Sequence, residues 1–423
     1  MKGFEVIGRA LRAACDCIYF VPGYPVTELS EIAGAELVIN EKVALEYALG
    51  DSLSGRRAAV VLKNVGLNSC SDPLVHATAQ GLLSGVVVVA GDDPEATGSQ
   101  AAEDSRYFGE LAEVPVIEPD PGTCAISIEE AFEASENFSR VCIVRVTPPV
   151  LFTDSKYRRI ARKPGSGELA PQGLTMHGKD MRAKTAVAAM FAWSRASPLN
   201  VRSPDGAGTG GEPGTARIVT VYPPPWDPES LVAVRETGRP FVREHRYAEP
   251  PVIAAAPERF HDRGFCRTFC KGCPFYGVIA ILQKRGISVI ADAGCSILAM
   301  NPPFRIARAS YGLGASLAVA ARSTGVALTG DYAILHNGIS ALIDIYEKGL
   351  PLLTVVLVNR RMGMTGGQEV PDPLRYLTWA DPAVCDAGDS ARLEELLRPV
   401  SSPRTVVVNG SCPEERRNET VEC

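Results

Sequence analysis

Two apolar runs, 326–329 (VALT) and 352–358 (LLTVVLV), flank a stretch with the period of a helix, and this arrangement constrains the chain more than any other feature. Runs this short and this uniformly apolar read as strands buried on both faces. Between them Asn337 is the candidate N-cap, Ile339, Leu342, Ile343 and Tyr346 share one face, and Gly349 with Pro351 ends the helix. A strand, helix, strand crossover makes the two strands parallel. Gly330 and Asp331 after the first strand, and Asn359 after the second, therefore emerge at one carboxyl edge, where open α/β sheets bind ligands.

Asp331 and Asn359 both offer hard oxygens. One carboxylate, one carboxamide and a nearby main-chain carbonyl suit Mg2+ that is already held by a diphosphate, because that ion wants octahedral oxygen and keeps several ligands of its own. A loop-capping Asp and a turn Asn account for the same two residues equally well. The rest of the chain bears on the choice.

With 423 residues, 46% hydrophobic and 22% charged, the chain has the composition of a soluble globular protein and room for two or three domains. Its net charge of −6 comes without a basic stripe, which argues against a nucleic-acid partner. The first twenty residues pattern as an amphipathic helix entering a strand, and no run is long enough to span a bilayer. A cytoplasmic protein with no membrane partner is expected. Twelve cysteines without an export signal read as thiols or metal ligands rather than a disulfide framework. Cys15, Cys17, Cys70, Cys124 and Cys142 sit singly in apolar or helical surroundings and read as structural.

From 1 to 155, apolar runs at 18–21, 58–62, 86–90, 114–117 and 141–146 alternate with helical patterns, the signature of a doubly wound α/β domain. Its loops carry GYPVTE (23–28), INEKVALEYALGDSLSG (39–55), LKNVGLNSCSDP (62–73) and AGDDPEATGSQAAEDSRYF (90–108). Residues 156–262 read as a linker or irregular segment, with a Gly, Pro and Ser-rich low-complexity stretch at 197–218; a helix is expected at 179–193 and a strand at 217–221. From 263 to 412 strands and helices alternate again, with runs at 287–291, 326–329, 352–358 and 405–408. YGLGAS (311–316) reads as a Gly-rich turn feeding a helix without a strand before it, and 413–423 as a frayed tail.

These loops, with Gly330, Asp331 and Asn359, resemble the large subunit of indolepyruvate ferredoxin oxidoreductase, a thiamine diphosphate-dependent 2-oxoacid:ferredoxin oxidoreductase, without its C-terminal ferredoxin-like domain. Tyr332 and Val358 stand where the thiamine motif has Gly and its first Asn. The resemblance implies two thiamine diphosphate-binding domains, each a doubly wound, mostly parallel sheet, joined by a long segment. It implies Mg2+ on Asp331, Asn359 and the main chain of Arg361, with Gly330 also at the cofactor. Glu41 falls where the family's Glu activates the aminopyrimidine ring, and Asn68 beside it. Thr27 falls near the substrate carboxylate, with His336 facing the substrate. Read alone, Glu41 is a helix-start glutamate stabilised by the dipole, Thr27 a turn residue, and Lys63, Asn64 and Asn68 loop residues. His336 alone reads as a helix-start histidine.

A second constellation comprises Cys270 and Cys273 in FCKGCPFYG, Cys295 in ADAGCSIL and Cys412 in VVVNGSCPE. The Cys-x-x-Cys alone is equally half a zinc site, a redox pair or two core thiols. By resemblance the four hold a 4Fe-4S cluster, which takes four thiolates. Cys266 is a fifth thiol. It completes a Cys-x3-Cys-x2-Cys spacing known from radical enzymes, which need a (β/α) barrel that the pattern lacks. The implied reaction is oxidative decarboxylation of a 2-oxo acid, with electrons passing through the cluster to ferredoxin and the acyl group to coenzyme A. A small oxidoreductase (beta) subunit and a dimer or hetero-oligomer are the implied assembly. Competing readings are a non-oxidative 2-oxoacid decarboxylase or carboligase, and a non-catalytic cofactor-binding or assembly subunit. Phe275, where the indolepyruvate enzymes have His, leaves the 2-oxo acid open.

Overall fold

The structure is a computed structural model and describes residues 1–94, 96–99, 101–199, 201–203, 217–219, 221–222, 256–414 and 418–423. The chain divides into two compact units, Met1–Ala170 with Met176–Pro257, and Pro171–Thr175 with Glu258–Cys423. Each is described by itself.

In the first unit β1 (Cys17–Phe20), β2 (Glu36–Leu37), β3 (Ala58–Lys63), β4 (Val86–Gly91), β5 (Val116–Ile117), β6 (Cys142–Val146) and β7 (Val221–Tyr222) form one sheet of order β7-β5-β6-β4-β3-β1-β2. Every pairing is parallel except β7 on β5 at the edge. The expected runs are thus strands, and β4 and β6 are buried throughout, as strands covered on both faces must be. The amphipathic start is α1 (Gly3–Ala14), whose Val6, Ile7, Ala10 and Leu11 are fully buried in the core. Next come α2 (Thr27–Ala33), α3 (Glu41–Leu53) and α4 (Leu67–Gln80). Asn40 is extended and its side chain accepts the Val43 N–H at 2.9 Å, so α3 begins at Glu41.

The single helix expected at 179–193 is two, α5 (Met176–Thr185) and α6 (Val187–Ala196). Ordered secondary structure therefore extends into the stretch read as a linker. Most of the low-complexity stretch 197–218 lies outside the described residues.

The second unit holds β8 (Phe265–Cys270), β9 (Val289–Ala291), β10 (Ala307–Ala309), β11 (Val326–Gly330), β12 (Leu353–Val358), β13 (Ala383–Asp386), β14 (Arg404–Asn409) and β15 (Asn418–Glu422). Six of them form a parallel sheet of order β10-β9-β11-β12-β14-β13, while β8 pairs antiparallel with β15. Short β10 precedes the YGLGAS turn, so that turn does follow a strand, and it leads into α7 (Ser316–Ala321). At Gly314 φ is +80°, and a Cβ there would lie 2.5 Å from the Gly338 backbone nitrogen, so only glycine lets this turn touch its neighbour.

Two further expectations are corrected. The helix after β11 starts at Asp331 rather than after Asn337: Asp331–Ala333 runs into a π turn, Ile334–Gly338, and then α8 (Ile339–Glu347). Asn337 sits inside the π turn, and the extra residue there rotates the buried face to Gly338, Ala341, Leu342 and Ile345. The tail is not frayed at its end either. Residues Asn418–Glu422 zip onto β8, and Cys266, read as a free thiol, is joined to Cys423 by a disulfide. Among the described residues no helix is long and apolar enough to cross a membrane.

Candidate active site

At the carboxyl edge of the second sheet the crossover delivers what its pattern promised. Asp331 is 3% exposed, and its carboxylate accepts three backbone N–H groups: Tyr332 at 2.8 Å on Oδ1, and Asn359 at 3.2 Å and Arg360 at 2.7 Å on Oδ2. Arg360 holds a left-handed φ of +57°, uncommon for a residue with a side chain. This bend aims two consecutive N–H groups at one oxygen. Burial pushes the Asp331 carboxyl up, and the three N–H groups pull against that.

Asp331, Asn359 and Arg361 line one cavity of about 230 Å³ together with Gly330, Phe275, Cys295 and the loop from Met362 to Thr365. The donor types suit a small hard cation: Asp331 and Asn359 both line this cavity, and Asp331 Oδ1 and Asn359 Oδ1 each accept one N–H and retain a lone pair. Behind this edge stands Asp292, fully buried, which accepts Thr329 Oγ1 at 2.5 Å and the Ser316 N–H at 2.8 Å. Asp292 ties the strand before Asp331 to the start of α7, a tie that no local pattern announces. His336 is exposed on the π turn with its ring 5.6 Å from Tyr332, outside the cavity lining.

The four cysteines are neighbours. Cys270 and Cys273 share a turn closed by the Cys273 N–H on the Cys270 carbonyl at 3.0 Å. Gly410 brings the Cys412 segment against Pro274, where a Cβ would lie 2.7 Å from the proline ring. Cys412 Sγ accepts the Asn359 Nδ2–H at 3.1 Å, and Cys295 lines the same cavity as Asp331. Burial first, and then the neighbouring Cys273, Cys412 and Cys270, push the Cys295 thiol up to about 12. Burial likewise raises Cys270, with Cys412 adding to it. Four thiols near one another are the donor type a four-iron cluster takes, since thiolates so close would repel one another unless iron supplied positive charge. Among the described residues no group of three or more His, Cys, Asp or Glu side chains is already arranged to hold a metal ion.

Glu41, Thr27 and Asn68 lie in the first unit. Glu41 opens α3, partly buried, with its carboxyl against Gly66: a Cβ on Gly66 would fall 2.6 Å from both Glu41 Cγ and Oε1. Cys70 Sγ donates to the Glu41 carbonyl at 3.3 Å. Thr27 opens α2, and its hydroxyl donates to the Gly23 carbonyl at 3.2 Å, so its one proton serves the loop. Asn68 is exposed and donates to Val65 O at 3.1 Å and Glu103 at 3.2 Å. Asn64 is fully buried, and its Nδ2 lacks a partner among the described residues. Gly66 is the residue that sequence reasoning missed, since its importance lies in what it leaves room for.

Residues 307–382, spanning Asp331 and Asn359, match the thiamine pyrophosphate enzyme C-terminal TPP binding domain. Over nearly the whole chain the match is to indolepyruvate oxidoreductase subunit IorA of Archaeoglobus fulgidus, 24% identical over 526 positions covering 97% of this chain and 81% of the relative. The chain resembles the IorA subunits of indolepyruvate oxidoreductase. IorA of Methanothermobacter thermautotrophicus is 25% identical over 83% of this chain and 73% of its own length, and IorA of Thermococcus kodakarensis is 36% identical over 35% of this chain and 24% of its own. The Archaeoglobus alignment is longer than this chain of 423 residues, so that IorA carries insertions relative to it. Among solved structures, the thiamine diphosphate-dependent 4-hydroxybenzoylformate decarboxylase of Rhodococcus jostii RHA1 aligns with a TM-score of 0.58 at 15% identity, covering 98% of this chain and 100% of that one. Benzoylformate decarboxylase from Polynucleobacter necessarius aligns with a TM-score of 0.57 at 13% identity over 99% of both. At such identities these structures establish the fold: two thiamine diphosphate-binding-fold α/β units.

Proposed function

We propose that this IorA-like chain is the thiamine diphosphate-bearing subunit of a 2-oxo acid oxidoreductase that passes electrons through a 4Fe-4S cluster to ferredoxin. The observation that carries the reading is the shared wall of the second unit. Cys295 lines the Asp331 cavity, and Asn359 of that cavity is hydrogen-bonded to Cys412. A non-oxidative decarboxylase has no use for thiols at that place.

In this reading Asp331, Asn359 Oδ1 and the Arg361 main chain hold Mg2+ on the cofactor diphosphate, with Gly330 beside it, and Cys270, Cys273, Cys295 and Cys412 hold the cluster. When bound, thiamine diphosphate would supply both a carbon nucleophile for the 2-oxo carbon and a cationic ring as the electron sink for loss of the carboxylate. Glu41, whose carboxyl Gly66 leaves space for, is the residue that would meet the aminopyrimidine end. Thr27 reaches the substrate carboxylate only by giving up Gly23, and Asn68 and His336 flank their sites from the surface. The balance is one 2-oxo acid, one coenzyme A and two oxidised ferredoxins giving one acyl-coenzyme A, one CO2, two reduced ferredoxins and one proton. A small partner subunit completes the enzyme, as the name of the IorA relatives suggests.

The test is iron, acid-labile sulfide and thiamine diphosphate analysis of one anaerobic preparation. About four iron and four sulfide per chain are expected, lost in Cys270→Ser with Cys273→Ser. Bound cofactor with no iron, and CO2 release from 2-oxo acids without dye reduction, would replace this reading with a non-oxidative decarboxylase.

A further inference from the structure

Asn359 touches both Asp331 and the cysteines of the second unit, the first through its backbone and the second through its side-chain amide. Its backbone N–H donates to Asp331 Oδ2 at 3.2 Å, its Oδ1 accepts the Arg361 N–H at 3.1 Å, and its Nδ2 donates to Cys412 Sγ at 3.1 Å. The amide orientation is fixed by chemistry. Arg361 N–H can only donate, so the atom it meets must be the oxygen, which leaves the NH2 group for sulfur. A second carboxamide reaches the same cluster of thiols from the β8–β15 ribbon: Asn418 Nδ2 donates to Thr268 O at 3.1 Å and lies 3.9 Å from Cys270 Sγ. Asn418 is not among the residues lining the cavity, whereas Asn359 is.

We infer that Asn359 is the positioning residue that couples cofactor loading to the reduction potential of the cluster, with Asn418 as a loading-independent donor. The inference rests on the metal and cluster ligands proposed above. An N–H donated to a cluster thiolate favours the reduced, more negative cluster and so raises its potential. A cation on Asn359 Oδ1 draws electron density out of the amide and locks its plane, which makes Nδ2–H the stronger donor to Cys412. Loading the diphosphate site thus makes the cluster a better acceptor at the time electrons become available.

The experiment is an EPR-monitored redox titration of the anaerobically reconstituted full chain, with dithionite as reductant, with and without thiamine diphosphate and Mg2+. In the unaltered protein the midpoint moves to more positive potential on loading. In Asn359→Asp, which keeps an oxygen toward the metal and removes the N–H, the loading-dependent shift is lost. In Asn418→Ala the midpoint falls equally in both states, and the shift on loading remains. Coupling of the cluster to an exchangeable proton, read by hydrogen–deuterium difference, strengthens on loading in the unaltered protein. A midpoint in the unaltered protein that ignores loading overturns the inference whatever the variants do, as does a shift that survives in Asn359→Asp with cofactor bound. Failure of the protein to assemble four iron and four sulfide would instead overturn the cluster reading beneath it, and iron analysis of the same sample separates the two failures.

Discussion

Replacing Gly66 by alanine separates the placing of Glu41 from the stability of the fold. Gly66 has φ −69° and ψ −24°, a conformation alanine adopts freely. The three nearest atoms to an added Cβ all belong to Glu41, Cγ and Oε1 at 2.6 Å and the carboxyl carbon at 2.8 Å. Restoring ordinary contact requires the Glu41 side chain to retreat by about 1 Å, and because it is the end of a flexible chain the fold need not follow. Gly66→Ala is therefore expected to leave the protein as stable or firmer by about 0.4–1 kcal/mol through the unfolded chain. That is a rise in melting temperature of roughly 1–4 °C. A misplacement of that size at a catalytic group costs turnover about 100-fold. The assays are thermal unfolding and 2-oxo acid-dependent reduction of a viologen dye, with Glu41→Ala as the reference for full loss of the carboxyl. Full turnover in Gly66→Ala would refute the claim that the seat Gly66 leaves for Glu41 matters. A fall of several kcal/mol would show that the conflict is not with Glu41 alone.

Two other perturbations follow from single residues. Asp331→Asn keeps the shape but leaves the Tyr332 N–H facing an NH2 group, so the apo protein should lose about 1–3 kcal/mol in urea unfolding; thiamine diphosphate retention on gel filtration should vanish, and retained cofactor would remove Asp331 from the metal site. Lys179, 3% exposed and donating to Gln80 Oε1 at 3.3 Å, has its ammonium pushed down from 10.5 to about 8 by burial. Its cost is present in full below about pH 8 and is relieved as pH rises toward 10.5, since there the unfolded chain binds the extra proton. Lys179→Met should therefore stabilise the protein near pH 7 by roughly 1–2 kcal/mol, once the stranded Gln80 oxygen is set against about 3 kcal/mol of relieved burial. The difference from the parent protein should shrink between pH 8 and 10.5, and a difference flat across that window would show that Lys179 is hydrated.

Much of the architecture was legible in the residues. Valine-rich runs at 58–62, 86–90 and 352–358 are strands because only a sheet covered on both faces hides such runs, and their crossover places Asp331 and Asn359 at one edge. The elements that pattern did not reveal are those with little apolar content. Ala307–Ala309 is three residues long, Asn418–Glu422 is polar and mostly exposed, and both are strands because a neighbour offers an edge. The helix after Asp331 was misplaced because a π turn adds a residue that no periodicity encodes.

Local sequence by itself determined that two parallel α/β sheets form and which polar residues leave their carboxyl edges, since hydrophobic period and turn chemistry are properties of short stretches. Tertiary structure alone decided that Asn359 reaches Cys412, that Asp292 braces the Asp331 edge and that Gly66 seats Glu41, because each joins segments far apart in the chain. Only a folded sheet edge brings such segments within the three or so ångströms over which hydrogen bonds and steric contacts act.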